Sequence, residues 1–213
     1  MNCLGQENLL EIIEILKKKY NEISCELIHS EDYELMIAAR LSARCKDDRV
    51  NVITKQLFER YPTLHSFARA SWYEVEEIIR PCGLSNTKAK DIVAACQMLE
   101  VNLGDRLPNS IEKLIELPGV GRKTANLILA EVFQEPAVIC DVHCIRISNK
   151  LGLCHTKDPL KVEKVLRAIL PSKESTKFCH RLVRFGKDVC RARNPKCGNC
   201  ELVVYCDWLQ MVQ

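Results

Sequence analysis

The stretch that most constrains the fold is residues 111–133, IEKLIELPGVGRKTANLILAEVF, in which a short turn separates two segments with apolar stripes. The helical spacing of leucine and isoleucine predicts one helix that ends at Leu117 and another that starts near Arg122. A tight hairpin connects them, formed by Pro118, Gly119, Val120 and Gly121. The two glycines allow backbone torsions barred to other residues and remove side chains that would keep a ligand at a distance.

Such a hairpin has the properties of a phosphate-binding turn. The free amides at the start of the second helix attract an anion, and the basic side chains of Arg122 and Lys123 lie beside them. This arrangement predicts that the chain holds DNA by its backbone without reading base sequence. A plain glycine-rich turn with solvated basic residues shows the same GxG pattern, and the pattern alone leaves both interpretations open.

Helical periodicity continues along the rest of the chain and predicts an all-α fold of about nine or ten helices, most of them short. One apolar stripe is formed by Leu9, Ile12, Ile13 and Leu16, within an amphipathic helix at the N-terminus. Two helix starts carry capping-box signatures, Ser71 with Glu74 and Asn109 with Glu112. No run alternates with a period of two for long enough to predict a strand.

Charge is distributed unevenly. From Pro136 onward the chain has 14 Lys and Arg against 7 Asp and Glu, whereas residues 1–135 have 17 against 21. The basic half predicts a polyanionic partner, and nucleic acid is favoured over membrane because no basic amphipathic helix with aromatic anchors is present. Without an apolar run of transmembrane length or a signal-peptide pattern, we expect a cytoplasmic protein, associated with the nucleoid if the source is a bacterium.

The 13 cysteines divide into two groups. Nine are scattered singly, which indicates reduced thiols rather than a disulfide framework: Cys3, Cys25, Cys45, Cys82, Cys96, Cys140, Cys144, Cys154 and Cys179. The other four form a C-x6-C-x2-C-x5-C cluster: Cys190, Cys197, Cys200 and Cys206. Four thiolates within 17 residues are suited to one metal centre, and the spacing alone admits either tetrahedral zinc or a 4Fe–4S cube.

Several motifs together resemble the endonuclease III family of helix–hairpin–helix DNA glycosylases: LMIAARLSAR at 35–44, GLSNTKA at 83–89, LPGVGRKTA at 117–125, CDVHCIRI at 140–147 and the cysteine spacing. The resemblance extends over nearly the whole chain. It implies two all-α lobes with the DNA cleft between them. A six-helix barrel of about residues 25–135 would contain the helix–hairpin–helix at about 111–133, and residues 1–24 would join 136–213 in an iron–sulfur cluster lobe.

By this resemblance Lys123 is the Schiff-base nucleophile and Asp141 the catalytic aspartate, and the two would face each other across the lobe boundary. Position alone favours Asp141 as the N-cap of the following helix, a role compatible with catalysis. His143 would be either a partner that supports the catalytic group or a buried core histidine, and the latter is favoured. The implied activity is that of a bifunctional DNA glycosylase and abasic-site lyase in base excision repair. Such an enzyme removes oxidised pyrimidines and then cleaves the strand by β-elimination.

The resemblance also assigns the metal site and further DNA contacts. The four clustered cysteines would hold a 4Fe–4S cluster in the loop 190–206, with a structural role. In that loop we expect phosphate contacts from Arg191, Arg193 and Lys196. Leu84 matches a wedge that unstacks the duplex, with a core leucine as the alternative. Arg44 stands where the family commonly has a glutamine that fills the gap left by a flipped nucleotide, and Val142 stands where a hydroxyl residue is common.

The expected partner is double-stranded DNA with a damaged base or an abasic site, bound by a monomer without any membrane association. Three alternatives stay open at this point. One is a monofunctional helix–hairpin–helix glycosylase for mispaired or alkylated bases, which Lys123 argues against because such an enzyme needs no amine there. The others are a non-catalytic DNA-binding homologue, which Arg44 keeps open, and a zinc-ribbon binding protein.

Overall fold

The structure, a computed structural model, describes residues 6–212, so Cys3 lies outside the described part of the chain. Residues 6–212 form helices and turns without a β-strand, which confirms the all-α prediction. The predicted number of helices is too low, because these residues contain twelve α-helices. Two of them, Leu64–Ala68 and Ile111–Leu114, have only five and four residues and are too short to show a period of 3.6.

In chain order the helices are α1 (Gln6–Lys19), α2 (Asp32–Leu41), α3 (Asp47–Arg60), α4 (Leu64–Ala68), α5 (Trp72–Ile79), α6 (Ser85–Asn102), α7 (Ile111–Leu114), α8 (Arg122–Glu131), α9 (Val142–Lys150), α10 (Pro159–Ile169), α11 (Ser175–Asp188) and α12 (Asp207–Val212). The chain divides into two compact units. The hairpin unit is Cys25–Glu135 and contains α2 to α8. The cysteine-loop unit joins the segment up to Ser24 to the segment from Pro136, and it contains α1 and α9 to α12.

The core of the hairpin unit forms around α6, the longest helix, which packs against α4 and α5. Phe67 on α4 is fully buried, and its ring contacts the rings of Tyr33, Phe58 and Tyr61. On the other side α2 packs against α6 and α8, and α8 also contacts α7. The hairpin between α7 and α8 is therefore supported from α2 and α6, and this arrangement decides which residues lie beneath it.

In the cysteine-loop unit α11 packs against α1 and α9, and α12 packs against α9. The predicted stripe of α1 is buried, which confirms its amphipathic assignment. Arg181 of α11 is buried as well, with its Nη1 donating to Glu174 Oε2 at 2.9 Å and its Nε donating to the Tyr20 carbonyl at 3.3 Å. A buried guanidinium needs such partners because an unpaired charge in the interior is costly.

Each unit contains one tryptophan with a lysine placed over its ring. Lys90 Nζ lies 4.4 Å from the Trp72 ring centroid in the hairpin unit. Lys150 Nζ lies 3.6 Å from the Trp208 ring centroid in the cysteine-loop unit. Both lysines stand within cation–π distance of the aromatic face, so each indole is held against a charged neighbour.

The two predicted capping boxes are wrong. Ser71 does precede α5, but its side chain makes no capping hydrogen bond, and the Glu74 carboxylate accepts from the Tyr61 hydroxyl at 3.0 Å instead. The start of α7 is capped one residue later than predicted, by Ser110, whose hydroxyl accepts from the Lys113 amide at 3.3 Å. In both places a side chain of the predicted cap is bonded to a residue outside the local pattern, Glu74 to Tyr61 and Asn109 to Glu135.

None of the helices within residues 6–212 combines the length and the apolar character that crossing a membrane requires. The twelve described cysteines are all free thiols.

Candidate functional site

The hairpin begins earlier than the pattern predicts, because α7 ends at Leu114 and a looser turn continues to Leu117. The second helix starts at Arg122, as predicted. Val120 is buried and its amide donates to the Leu117 carbonyl at 3.0 Å, which anchors the middle of the turn. Gly121 is the N-cap of α8 in an extended conformation, and the first amides of the helix lack helical acceptors. The turn thus presents backbone donors at the positive end of a ten-residue helix.

Gly119 is the position where the hairpin requires glycine. Its φ of +76° is in the left-handed region, which disfavours any residue with a Cβ. A Cβ there would lie 2.7 Å from Arg40 Nε and 2.9 Å from Asp91 Cβ. The backbone at Gly119 is therefore in direct contact with the side chains beneath it.

Those side chains form an ion pair between α2 and α6. Arg40 donates to Asp91 Oδ2 from Nε at 2.8 Å and from Nη2 at 2.5 Å. Both side chains are largely shielded from solvent, with exposures of 20% and 24%. A charge-assisted pair of this geometry is stronger than an ordinary surface salt bridge. It forms a polar floor under Gly119, and no local sequence motif indicates it because the partners are 51 residues apart.

Lys123 is exposed at the second residue of α8. The half-buried thiol of Cys25 lies close enough to be influenced by its charge. Burial, together with the carboxylates of Glu131 and Asp47, raises the pKa of Cys25 to about 11, while the Leu27 backbone and the Lys123 ammonium oppose the rise. Cys25 thus lies near Lys123 and two acids, all within the hairpin unit. Cys25 was not predicted, because no local motif marks the segment before α2.

Asp141 is the N-cap of α9, with Oδ1 accepting from the Cys144 amide at 2.7 Å, which confirms the capping prediction. The side chain is half-buried. Asp141 belongs to the cysteine-loop unit and Lys123 to the hairpin unit. Their joint action stays a prediction. Val142, the next residue, is 72% exposed.

His143 is half-buried in the cysteine-loop unit rather than fully buried as predicted. Its ring packs against Gly186 of α11, where a Cβ would collide with Nδ1. Arg146 Nη2 lies 3.4 Å from the same nitrogen and donates to the Cys190 carbonyl at 2.5 Å. The histidine and Arg146 therefore connect α9 to the beginning of the cysteine loop.

Arg44 and Leu84, the two residues expected to enter the duplex, share an unusual backbone. Both are non-glycine residues in the left-handed region, with φ of 61° and 52°. Both are exposed, Leu84 by 58%, so the alternative of a core leucine at position 84 is wrong. Such torsions cost on the order of 1–2 kcal/mol each and persist only where the surroundings hold them.

The four clustered cysteines are neighbours on a compact loop of turns. The Cys200 amide donates to the Cys197 carbonyl at 3.2 Å, and the Cys206 amide donates to the Val203 carbonyl at 3.2 Å. Burial and the three nearby thiols, those of Cys190, Cys206 and Cys197, together raise the pKa of Cys200 to about 11. The Cys200 thiol thus lies close to the other three, as the thiols of one metal centre must.

Within the described residues no three His, Cys, Asp or Glu side chains are arranged closely enough to hold a single metal ion. Four thiols on one short loop are a donor set that suits either a tetrahedral zinc ion or a 4Fe–4S cube. Which of the two centres the loop holds stays a prediction.

The basic side chains of the loop, Arg191, Arg193 and Lys196, are exposed. The amides of Arg191 and Lys196 both donate to the Val189 carbonyl, at 2.9 and 3.0 Å, and these two bonds keep the ends of this basic segment together. Arg191 Nε also donates to the Lys187 carbonyl at 3.1 Å. The loop thus presents its positive charges from a backbone that is fixed at both ends.

Comparisons with known proteins agree with this geometry. Residues 37–172 match the HhH-GPD superfamily, described as base excision DNA repair proteins. The chain is 39% identical to endonuclease III of Synechocystis sp. over 202 residues, which covers 94% of this chain and 92% of the relative. It is also 39% identical to endonuclease III of Bacillus subtilis over 183 residues, covering 85% and 84% of the two chains.

Solved structures extend the similarity to three dimensions. A trapped covalent intermediate of endonuclease III with DNA superposes with a TM-score of 0.93 at 37% identity, covering 99% of this chain and 100% of the other. A non-covalent endonuclease III–DNA complex gives the same TM-score at 38% identity. A thermostable thymine-DNA glycosylase, at 19% identity and a TM-score of 0.85, shares the fold.

Proposed function

Because this chain belongs to the endonuclease III family of the HhH-GPD superfamily, we propose that it is a bifunctional DNA glycosylase and abasic-site lyase of base excision repair. Its substrate would be duplex DNA with an oxidised or ring-saturated pyrimidine. The observation that carries the proposal is the exposed amine of Lys123 in the first turn of α8, directly after the hairpin. A 37% identical relative has been trapped as a covalent intermediate with DNA, which supports an amine nucleophile in this family.

In the first step the Lys123 Nζ lone pair forms a bond to the anomeric carbon of the damaged nucleotide. The glycosidic bond breaks, its electron pair leaves with the base, and the base takes up a proton. The bonded nitrogen then loses a proton, and its lone pair forms the C=N bond as the bond from the anomeric carbon to the ring oxygen breaks. The ring oxygen takes up a proton and becomes a hydroxyl, which leaves a protonated imine between the enzyme and the deoxyribose.

In the second step the imine acidifies the neighbouring sugar proton. Loss of that proton and departure of the 3′ phosphate cleave the strand by β-elimination, and water then releases Lys123. We assign Asp141 the role of stabilising positive charge on the sugar or accepting a proton from the attacking amine. Capping α9 would orient the carboxylate, because the bond from Cys144 uses one oxygen and fixes the plane of the group.

DNA would be held mainly by its backbone. We assign phosphate contacts to the hairpin residues Gly119, Val120, Gly121 and Arg122 and to the loop residues Arg191, Arg193 and Lys196. Arg44 and Leu84 would enter the duplex, Leu84 as an apolar wedge and Arg44 at the gap left by the flipped nucleotide. Flipping a base costs a few kcal/mol, least at a damaged site, and a wedge reduces that cost. Such contacts recognise distortion rather than sequence.

We further propose that the four clustered cysteines hold a 4Fe–4S cluster. Bound there, the cluster would supply structural cross-linking of the loop rather than electron transfer, because the proposed reaction consumes no electrons. A loop fixed in this way loses less entropy when its basic side chains bind phosphate.

The catalytic proposal is tested by reduction with borohydride during incubation with duplexes that contain thymine glycol or an abasic site. The wild type should form a covalent protein–DNA adduct, and Lys123→Gln and Lys123→Ala should form none. Exposed Lys55 on α3 offers a matched control, since Lys55→Gln should leave the adduct unchanged. An adduct that persists in both Lys123 variants would place the nucleophile elsewhere. Base release without any adduct or strand cleavage would favour a monofunctional glycosylase.

The metal proposal is tested by iron analysis and visible absorption of protein purified without oxygen. A 4Fe–4S protein is brown and contains about four irons per chain. Cys197→Ala should lose the colour and the iron, whereas Cys154→Ala, which changes a buried thiol outside the loop, should retain both. One zinc per chain and no colour would refute the cluster.

A further inference from the structure

The turns that carry Arg44 and Leu84 meet at one buried side chain, that of Lys88. Its Nζ donates to the Leu41 carbonyl at 2.8 Å and to the Ala43 carbonyl at 2.9 Å, both at the end of α2. The third donor reaches the Cys82 carbonyl at 2.9 Å, directly before Gly83 and Leu84. Lys88 has no exposed surface, and the ammonium group has three hydrogens, so all its donors are used.

The acceptors are the free carbonyls of two helix ends. Leu41 is the last residue of α2, and Cys82 is the last residue of a 3₁₀ turn, Arg80–Cys82. A cation at the carboxyl end of a helix is favoured by the helix dipole, and a buried carbonyl without a partner is costly. Burial lowers the pKa of Lys88, against the influence of the nearby thiols of Cys82 and Cys45. The three carbonyls of the two turns thus offset much of the cost of burying this ammonium.

A second link connects the same turns. Burial and the nearby Cys45 thiol raise the pKa of Cys82 to about 11, so the two thiols lie close together, and these residues adjoin Arg44 and Gly83. Arg44 and Leu84 themselves have strained left-handed torsions and exposed side chains. Because the same buried contacts join the two strained turns, the position of each turn is fixed relative to the other. Neither turn is then free to relax alone, although 40 residues separate Arg44 and Leu84 in the chain.

We propose that Lys88 is a positioning residue that couples the Arg44 turn to the Leu84 turn, so that the two side chains enter the duplex as one rigid probe. This inference rests on the proposed function, in which both side chains contact the lesion site. Entry as one unit would form the wedge contact of Leu84 and the gap-filling contact of Arg44 at the same time. Partial unstacking of undamaged base pairs by one of the two side chains would then be disfavoured. Lys88 would act through Arg44 and Leu84 and would not contact DNA.

The test compares duplex and single-stranded DNA, each with one abasic site, in borohydride trapping. A single strand needs no unstacking, so it reports the Lys123 chemistry without the probe. Lys88→Met should lower the ratio of duplex to single-strand trapping rates about tenfold, since only the duplex must be unstacked. Lys55→Met, a matched loss of an exposed charge on α3, should leave the ratio unchanged. An unchanged ratio in Lys88→Met, or an equal loss on both substrates, would overturn the proposal.

A double variant sharpens the test. If Lys88 acts through Leu84, the effects of Lys88→Met and Leu84→Ala on the ratio should be less than additive, as expected for residues of one coupled unit. Fully additive effects would mean that Lys88 and Leu84 act independently, which contradicts the proposed role.

Native-state hydrogen exchange of the unaltered protein tests whether the Arg44 turn and the Leu84 turn are coupled, even if Lys88→Met fails to fold. The Cys45 amide donates to the Ser42 carbonyl in one turn, and the Gly83 amide donates to the Arg80 carbonyl in the other, each at 3.1 Å. Coupled turns should open together, with equal opening free energies for these two amides. Different opening free energies would overturn the coupling. If the wild type forms no adduct on either DNA, the glycosylase proposal fails, whereas the exchange result still decides whether the turns are coupled.

Discussion

Gly119 lies directly against Arg40, so that a Cβ at position 119 would be 2.7 Å from Arg40 Nε. The hairpin is thereby seated on the ion pair between Arg40 and Asp91, which connects α2 to α6. The glycine of a phosphate-binding turn is usually explained by what it leaves open to the ligand. In this protein the contact of the turn with Arg40 is a second, independent reason why position 119 requires glycine.

The first prediction concerns this contact. Gly119→Ala should lower the free energy of unfolding by about 2–3 kcal/mol, because the Cβ meets both a left-handed torsion and a filled space. Gly121→Ala is the control, since a Cβ there meets nothing within 4 Å and its φ is negative. Urea unfolding of both variants measures the difference. Equal losses of stability in the two variants would contradict the assigned role of the Arg40–Asp91 floor.

The second prediction separates the two roles of Asp141. Asparagine caps helices as well as aspartate does but carries no charge, so Asp141→Asn should keep the stability of the wild type. Its single-turnover rate of base release should fall by about 10²–10⁴-fold, the range typical of a lost acid–base group. Asp141→Ala should lose the activity and, in addition, about 1 kcal/mol of stability with the cap.

Thermal unfolding and single-turnover kinetics on a thymine glycol duplex measure both quantities for the Asp141 variants. If Asp141→Asn retained the wild-type rate, Asp141 would be a cap and nothing more.

The third prediction uses Cys25 to report on the surroundings of Lys123. A thiol reacts as its thiolate, and burial raises the pKa of Cys25 to about 11. The rate of alkylation by iodoacetamide should therefore rise about tenfold per pH unit from pH 7 and level off only near pH 11. Replacing Lys123 by Gln removes the positive charge that favours the thiolate, so labelling at a given pH should become slower.

Mass spectrometry of the peptide that contains Cys25 measures this rate separately from those of the other thiols. A plateau below pH 9, or faster labelling in Lys123→Gln, would show that Cys25 lies in different surroundings.

The fourth prediction concerns the basic loop. Arg193 and Lys196 are exposed, and as phosphate contacts each should release about one counterion on DNA binding. Arg193→Ala and Lys196→Ala should each reduce the slope of log binding constant against log salt by about 1, without changing the preference among undamaged sequences. Fluorescence anisotropy with a labelled duplex between 50 and 200 mM salt provides the measurement.

For this fourth prediction Lys55→Ala on α3 is the matched control for loss of one exposed charge. A slope that stayed at the wild-type value in both loop variants would remove the loop from the DNA interface.

The parts of the molecule that sequence predicts well are those determined by neighbouring residues. The stripe of α1 and the start of α8 at Arg122 follow from periodicity and turn chemistry over a few positions, and both are confirmed. The N-cap at Asp141 is confirmed for the same reason. The cap at Ser71 fails because Tyr61, ten residues earlier, donates to the Glu74 carboxylate that a capping box would need.

What sequence does not reveal depends on contacts between distant segments. Lys88 resembles any solvated helix lysine in the chain, and only the fold brings it to carbonyls 47 and 45 residues away. The Arg40–Asp91 pair and the approach of Cys25 to Lys123 are equally non-local. The left-handed torsions at Arg44 and Leu84 carry no signature, since neither residue type favours them.

The chain has just two tryptophans, and each unit contains one of them. Trp72 and Trp208 therefore act as built-in fluorophores, one for each half of the protein. Replacing either indole by phenylalanine leaves a single emitter, whose spectrum follows the melting of its own half. If the four clustered cysteines hold the proposed 4Fe–4S cluster, removal of iron should change the emission of Trp208 before that of Trp72, and no attached dye is needed to observe it.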